Sequence, residues 1–368
     1  MPTDSDRFRD RRARAAAAAR ARGIGAALFS PGSDLAYLSG HRIHASERLT
    51  CLVLTAEAEA TLVVPRLEAP RARAAAPGVP VREWDETEDP VGLVARLAGG
   101  RGGLALDDRM WAAFVLRLQA AMPDRGFEPA SALTAPLRAR KDEAEVAALR
   151  AVSEAADRAF ADLRARPFAG RSEREVAGDV AELLRAEGHA EVSFTIVASG
   201  PNGASPHHDT GERVIAEGDA VVLDFGGVRD CYCSDITRTV HAGAAVDADV
   251  RRVHDVVLRA QEAGYRAARE GTPCSAVDAA ARSVIDEAGY REYFVHRLGH
   301  GIGLDGHEHP YLVSGNDAPL EPGMAFSIEP GVYLPGRFGV RIEDVAVLSP
   351  AGRAEPLNQA DRALAIVS

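Results

Sequence analysis

The chain has 368 residues, 46% of them hydrophobic, and a formal net charge of −11 at pH 7. That length leans to two domains with real cores. The acidic balance argues against nucleic-acid binding through a basic surface, and no apolar run approaches the ~20 residues of a membrane span.

The N-terminal arginines (Arg7, Arg9, Arg11, Arg12, Arg14) are mixed with Asp4, Asp6 and Asp10 and lack an apolar core, which points away from a targeting peptide. Only two of the four cysteines, Cys51, Cys231, Cys233 and Cys274, are close in sequence, so a disulfide scaffold is not indicated and a cytoplasmic protein is expected.

An Arg/Ala-rich helix is expected over 7–22, ended by Gly23-Ile24-Gly25, then a strand over 26–30 and a Pro31-Gly32 turn. Strands at 50–55 and 61–65 precede an alternation of helix 66–76, strand 79–83, helix 90–98, strand 102–107 and helix 110–121. This pattern describes an α/β domain with a mixed sheet. His41 and His44 fall in a loop and read as solvent-exposed. Pro136 and the charged residues after it mark a junction over 131–143, giving domains 1–137 and 138–368.

Beyond the junction, helical spacing runs over 142–165, and Ser172-Glu173-Arg174-Glu175 forms a capping box for a helix to 187. A strand at 192–197 leads into the Ser199–Gly203 loop. Two more helices follow, 247–270 and 274–288. The order helix, helix, strands therefore occurs twice, a candidate internal duplication in which each half delivers one acidic hairpin.

Asp224 closes the apolar run Val221–Leu223, and Asp235 precedes the β-prone run Ile236–Val240. Pairing them in one hairpin centres its turn between Arg229 and Asp230 and puts both on one face. Glu329 ends Ala325–Ile328, and pairing it with Glu343 centres a second turn on Gly336. Buried acids so placed are costly without a cation. With His300, between two glycines, they form an oxygen-rich ligand set suited to two divalent ions.

His296 and His307 flank His300, and His207 follows the 199–206 loop; all three are candidates for the same cleft, with His208 and His309 as bystanders. Cys231 and Cys233 share parity with Asp235 but read as small strand residues rather than thiol ligands.

Together Pro206-His207, Asp224-Phe225-Gly226, Ser234–Thr239, Gly299–Gly303, His307-Glu308, Ile328–Tyr333 and Val340–Asp344 resemble the pita-bread metallopeptidases of family M24, specifically the Xaa-Pro dipeptidase (prolidase) and aminopeptidase P branch. Tyr37–Gly40 and 138–145 resemble, more weakly, that branch's creatinase-like N-terminal domain. The resemblance implies an α/β N-terminal domain before a pseudo-duplicated catalytic domain.

It also implies Asp224, Asp235, His300, Glu329 and Glu343 as dinuclear metal ligands, with Asp235 and Glu343 bridging. His207, His296 and His307 would contact substrate or the tetrahedral centre, Glu329 would shuttle the proton, and Arg341 would support the carboxylates or meet a substrate carboxylate. Two Mn²⁺ or Co²⁺ ions (Zn²⁺ or Fe²⁺ in some members), a proline-containing peptide substrate and a homodimer are expected. Alternatives are aminopeptidase action on longer peptides, an ectoine-type hydrolase, a dimethylsulfoniopropionate lyase, or a non-enzymatic binding module.

Overall fold

In the computed structural model, which describes residues 4–368, the chain divides between Arg138 and Ala139 into two units. The first contains α1 (Asp4–Ala21), β1 (Ile24–Phe29), α2 (Ser33–Ser39), β2 (Cys51–Thr55), β3 (Ala60–Pro65), α3 (Ala69–Ala75), β4 (Val81–Trp84), α4 (Pro90–Leu97), β5 (Gly103–Leu106), α5 (Ala112–Ala121), β6 (Phe127–Pro129) and α6 (Ser131–Ala139). Among the described residues its strands form one mixed sheet in the order β4-β3-β2-β1-β5-β6. Ala26, Leu28, Val53, Val63 and Leu104 lie in one core with α4 residues Val91 and Val94 and α5 residues Phe114 and Leu118.

The stretch 131–139, read as part of the junction from Pro136, is the helix α6 with Pro136 inside it, and the units divide at its end. Tertiary contacts override the local signal. Leu133 and Leu137 are buried, and Asp34 accepts from Thr134 Oγ1 (2.6 Å) and Arg138 Nη1 (2.7 Å). His41 is fully buried rather than exposed, whereas His44 is exposed.

The second unit opens with α7 (Glu143–Leu163) and α8 (Glu173–Ala186), followed by β7 (Glu191–Ser199), β8 (Ala220–Arg229), β9 (Tyr232–Cys233) and β10 (Ile236–Ala242). Capping boxes start both helices, Asp142 with Glu145 and Ser172 with Glu175. Next come α9 (Ala248–Ala267), α10 (Cys274–Glu287), β11 (Gly299–Gly301), β12 (Glu308–Leu312), β13 (Ala325–Ile328), β14 (Gly331–Leu334), β15 (Phe338–Arg341), β16 (Asp344–Leu348), β17 (Ala354–Pro356) and β18 (Ala365–Val367). The expected repeat of two helices and then strands is present. The strands form sheets ordered β18-β10-β8-β7 and β12-β11-β13-β16-β17, with β14-β15 as a separate ribbon.

The first acidic hairpin differs from expectation in register. Asp224 faces Thr237, not Asp235. The two turn residues are Asp230 and Cys231, both at positive φ (48° and 79°), the conformation a two-residue hairpin turn requires. The partner moves by two positions, so the parity of Asp224 and Asp235 is kept. In the second hairpin Ile328 faces Asp344 and Gly331 faces Arg341. Glu329 and Glu343 therefore sit opposite each other where the sheet gives way to the ribbon, as the turn at Gly336 predicts.

Candidate metal centre

The two hairpins are stitched together by Thr237, which forms a bridge to Glu343. The Glu343 N–H donates to the Thr237 carbonyl (3.0 Å), and Thr237 Oγ1 donates to Glu343 Oε2 (2.6 Å). Strand alternation sends the next side chain, Arg238, to the opposite face. There Arg238 donates to Asp344 Oδ1 (2.6 Å) and to the carbonyls of Glu343 (2.6 Å), Ala360 (2.8 Å) and Asp361 (2.9 Å).

Asp224, Asp235, His300 and Glu343 are all at most 9% exposed. Ligand atoms of Asp224, Asp235 and Glu343 lie within 4.8 Å of one another, as do those of His300, Glu329 and Glu343, and those of Asp235, His300 and His307. Asp235, His300 and Glu343 each belong to two of these groups. His300 Nε2 is 3.2 Å from Glu329 Oε1 and 3.7 Å from Asp235 Oδ2. Its Nδ1 donates to the Gly301 carbonyl (3.1 Å), which orients the other nitrogen toward the acids. The flanking glycines are required by close approach: a Cβ on Gly299 would collide with the Ser327 carbonyl, and one on Gly301 with that of His309.

Burial and mutual repulsion raise the carboxyls of Asp235 and Glu343 well above their usual range, and burial raises Asp224. Glu329 is also opposed by burial, but the hydrogen bond and charge of His300 outweigh it and hold Glu329 at about 2. Among the described residues, Asp224 Oδ1 and Glu343 Oε1 are buried without a hydrogen-bond partner. Orphaned carboxylate oxygens converging beside an imidazole are the donor set a divalent cation satisfies.

The cleft above the acids has a volume of about 490 Å³ and is walled by Phe194, Ile196, Pro206, His207, His296, Arg297, His307 and Arg341. His207 and His307 are exposed to it. Arg341 is committed to the site itself. It donates to Asp224 Oδ2 (2.5 Å), Thr237 Oγ1 (3.1 Å) and the Tyr333 hydroxyl (2.8 Å).

His296 Nδ1 donates to the Arg297 carbonyl (2.7 Å), so its Nε2 accepts from the Tyr333 hydroxyl (2.8 Å). Arg297 Nη2 donates to His307 Nδ1 (3.2 Å), leaving the proton of neutral His307 on Nε2. Burial, with His300 and Arg297 nearby, holds His307 down to about 4. Glu308, beside it, is fixed by a buried ion pair with Lys141 (2.9 Å).

Thr237, Tyr333, Arg297 and the Lys141–Glu308 pair escaped sequence reasoning as site residues, although Thr237, Tyr333 and Glu308 lie inside the recognised motifs. His309 is exposed, against the Tyr311 ring. Cys233 packs among Tyr232, Ile302 and Leu149, with Cys231 against the same cluster. Neither thiol belongs to a candidate metal group among the described residues.

A family model for metallopeptidase family M24 matches residues 147–350, and one for the creatinase/prolidase N-terminal domain matches 11–140. The chain belongs to metallopeptidase family M24, and its catalytic half has the pita-bread fold. It is 46% identical over 352 residues to a probable dipeptidase PepE of Mycobacterium tuberculosis, covering 94% of this chain and 92% of that protein. It is 37% identical to an Xaa-Pro dipeptidase of Lactobacillus delbrueckii subsp. lactis, over 90% of this chain and 92% of that one. The crystal structure of a prolidase from Thermococcus sibiricus superposes with a TM-score of 0.93 at 37% identity, covering 100% of both chains.

Proposed function

We propose that the chain is an Xaa-Pro dipeptidase, hydrolysing the peptide bond that precedes a C-terminal proline. The observation that carries this is the convergence of four acids and His300 on the floor of a small cleft, in a chain 37% identical to an Xaa-Pro dipeptidase. Asp224, Asp235, His300, Glu329 and Glu343 would hold two divalent ions, with Mn²⁺ or Co²⁺ the expected pair. Asp235, His300 and Glu343 each lie in two of the donor groups, and of these Asp235 and Glu343 have two carboxylate oxygens to offer, which supports a bridging role for the two acids. Bound there, the ions supply Lewis acidity toward the scissile carbonyl and lower the pKa of water to near neutrality.

The remaining work belongs to the protein. His307 presents Nε2–H to the developing oxyanion, and His207 stands near it in the same cleft. Glu329 carries a proton to the leaving proline nitrogen, which has no N–H of its own and must be protonated to depart. Tyr333 and Arg341 hold His296 and Asp224 in place, so Arg341 supports the carboxylates rather than meeting the substrate. Phe194 and Ile196 offer apolar wall to the pyrrolidine ring. Arg297 is left to meet the substrate's terminal carboxylate. A homodimer in the cytoplasm accords with the family resemblance, and none of the four cysteines forms a disulfide.

Hydrolysis of Ala-Pro, Gly-Pro, a longer Xaa-Pro peptide, ectoine-type compounds and dimethylsulfoniopropionate, each with added Mn²⁺, tests the assignment. Cleavage confined to the dipeptides is expected; turnover of the small molecules alone would overturn it. Asp235→Asn and Glu343→Gln should each lower kcat by at least ~10³-fold and lose stoichiometric metal in elemental analysis. Normal turnover in either variant would refute the ligand assignment.

A further inference from the structure

A further buried acid is not part of the cleft lining. Glu173 opens α8 with its side chain fully buried (0% exposed). It accepts from Ser199 N (2.8 Å), Ser199 Oγ (2.8 Å), Asn202 Nδ2 (3.0 Å) and His208 Nε2 (2.8 Å). Burial opposes its charge, but the donors from Ser199, His208 and Asn202 outweigh burial and keep the carboxyl below its usual range. All of these donors come from one ten-residue stretch, 199–208, and its last residues are Pro206-His207-His208.

The same stretch is pinned on its other side. Its turn, Gly200–Ala204, touches β15 backbone to backbone, because a Cβ on Gly339 would collide with the Gly203 carbonyl. The Pro206 carbonyl accepts from Arg341 Nη1 (3.4 Å). His207 is exposed to the cleft, and its side chain makes no hydrogen bond among the described residues. The reach of that imidazole is therefore set by the backbone that carries it, and the neighbouring His208 is that backbone's side-chain tether to Glu173.

We propose that Glu173 and His208 are positioning residues. Their hydrogen bond anchors the 199–208 segment to the first turn of α8 and fixes where His207 reaches into the cleft. This rests on the reading of His207 as a group that contacts the reacting carbonyl. A displacement on the order of 1 Å at such a group is costly in rate, and an exposed loop side chain holds position only if its supports are locked. His208, adjacent to His207 but directed the other way, supplies that lock.

The test uses the full-length, Mn²⁺-loaded protein and two readouts: hydrogen exchange of segment 199–208, and kcat and KM on Ala-Pro. His208→Ala and Glu173→Gln should speed exchange in 199–208 several-fold. His208→Ala should lower kcat by about tenfold with KM changed less than about twofold. His208→Gln, which keeps an N–H donor of similar reach, should recover most of both. In a His207→Ala background His208→Ala should cost no further kcat, since it acts through His207.

Unchanged exchange in His208→Ala overturns the proposal. So does a loss of kcat that persists in full in the His207→Ala background, which would mark a general structural defect. A wild-type protein inactive on Ala-Pro overturns the substrate reading instead, and the exchange measurement then decides the tether by itself.

Discussion

At position 297 a cation faces a cleft whose floor is carboxylate. The Arg297 guanidinium lies over the Tyr311 ring at 4.6 Å and donates to His307, while Arg341 is consumed by Asp224, Thr237 and Tyr333. A substrate carboxylate at Arg297 would form a charge-assisted bond, so Arg297→Ala should raise KM for Ala-Pro by roughly 10–100-fold. The change for Ala-Pro-amide should be much smaller, and equal effects on both substrates would remove Arg297 from that role.

A second residue-scale prediction concerns His254, on α9. It is buried, its Nε2 lacks a hydrogen-bond partner among the described residues, and burial holds it down to about 4. Asp255, Arg238, Arg251 and Asp361 are the charged groups around it. A histidine whose folded pKa is depressed binds its proton more readily in the unfolded chain. Its contribution to stability is present above pH 6.5 and is lost as pH falls toward 4. Between pH 7 and pH 5 this amounts to about 2 kcal/mol. Denaturant titrations should show His254→Leu escaping that part of the acid destabilisation seen in the wild type.

Among the elements, β10 does the most to define the site. One of its faces presents Thr237 to Glu343, and the other presents Arg238 to Asp344. Asp344 is fully buried and also accepts from Arg362 Nε (2.6 Å) and Gln261 Nε2 (3.2 Å). Removing the Arg238 cation leaves a buried acid short of charge and the carbonyls of Thr237, Glu343, Ala360 and Asp361 short of a donor. Arg238→Met should therefore cost about 3–5 kcal/mol in chemical denaturation. It should also weaken metal retention, because the bridge from Thr237 to Glu343 loses the support behind it. An unchanged metal content would show that Thr237 alone holds the hairpins together.

For the whole molecule, the division between Arg138 and Ala139 separates a unit built on its own sheet core from one whose centre gathers negative charge. The donor set lies entirely in the second unit, so metal binding is linked to the stability of that unit. At cation concentrations near 100 times Kd the gain is about 2.7 kcal/mol. Chelation should thus lower the melting transition of the catalytic unit by roughly 5–10 °C, restored by Mn²⁺. Exchange in the strands Ile24–Phe29 and Cys51–Thr55 should stay the same. Equal loosening of both units would argue against a site confined to residues 139–368.

The parity of Asp224 with Asp235, the facing of Glu329 and Glu343 across Gly336, the glycines around His300 and the capping box before Glu173 are all local properties. Period-2 alternation, turn chemistry and capping depend on residues a few positions apart, so the chain by itself determined them. The two-residue shift that sets Thr237 opposite Asp224, the helix running through Pro136, the burial of His41, the commitment of Arg341 to Asp224 and the bond from His208 to Glu173 were decided only in three dimensions. The helix through Pro136, the Arg341–Asp224 pair and the His208–Glu173 bond each depend on which buried polar group meets which partner, two of them across 100 residues of chain or more, whereas His41 is buried with neither ring nitrogen hydrogen-bonded among the described residues. Packing settles that choice, because an unpaired buried charge or hydrogen-bonding group costs more than any local preference returns.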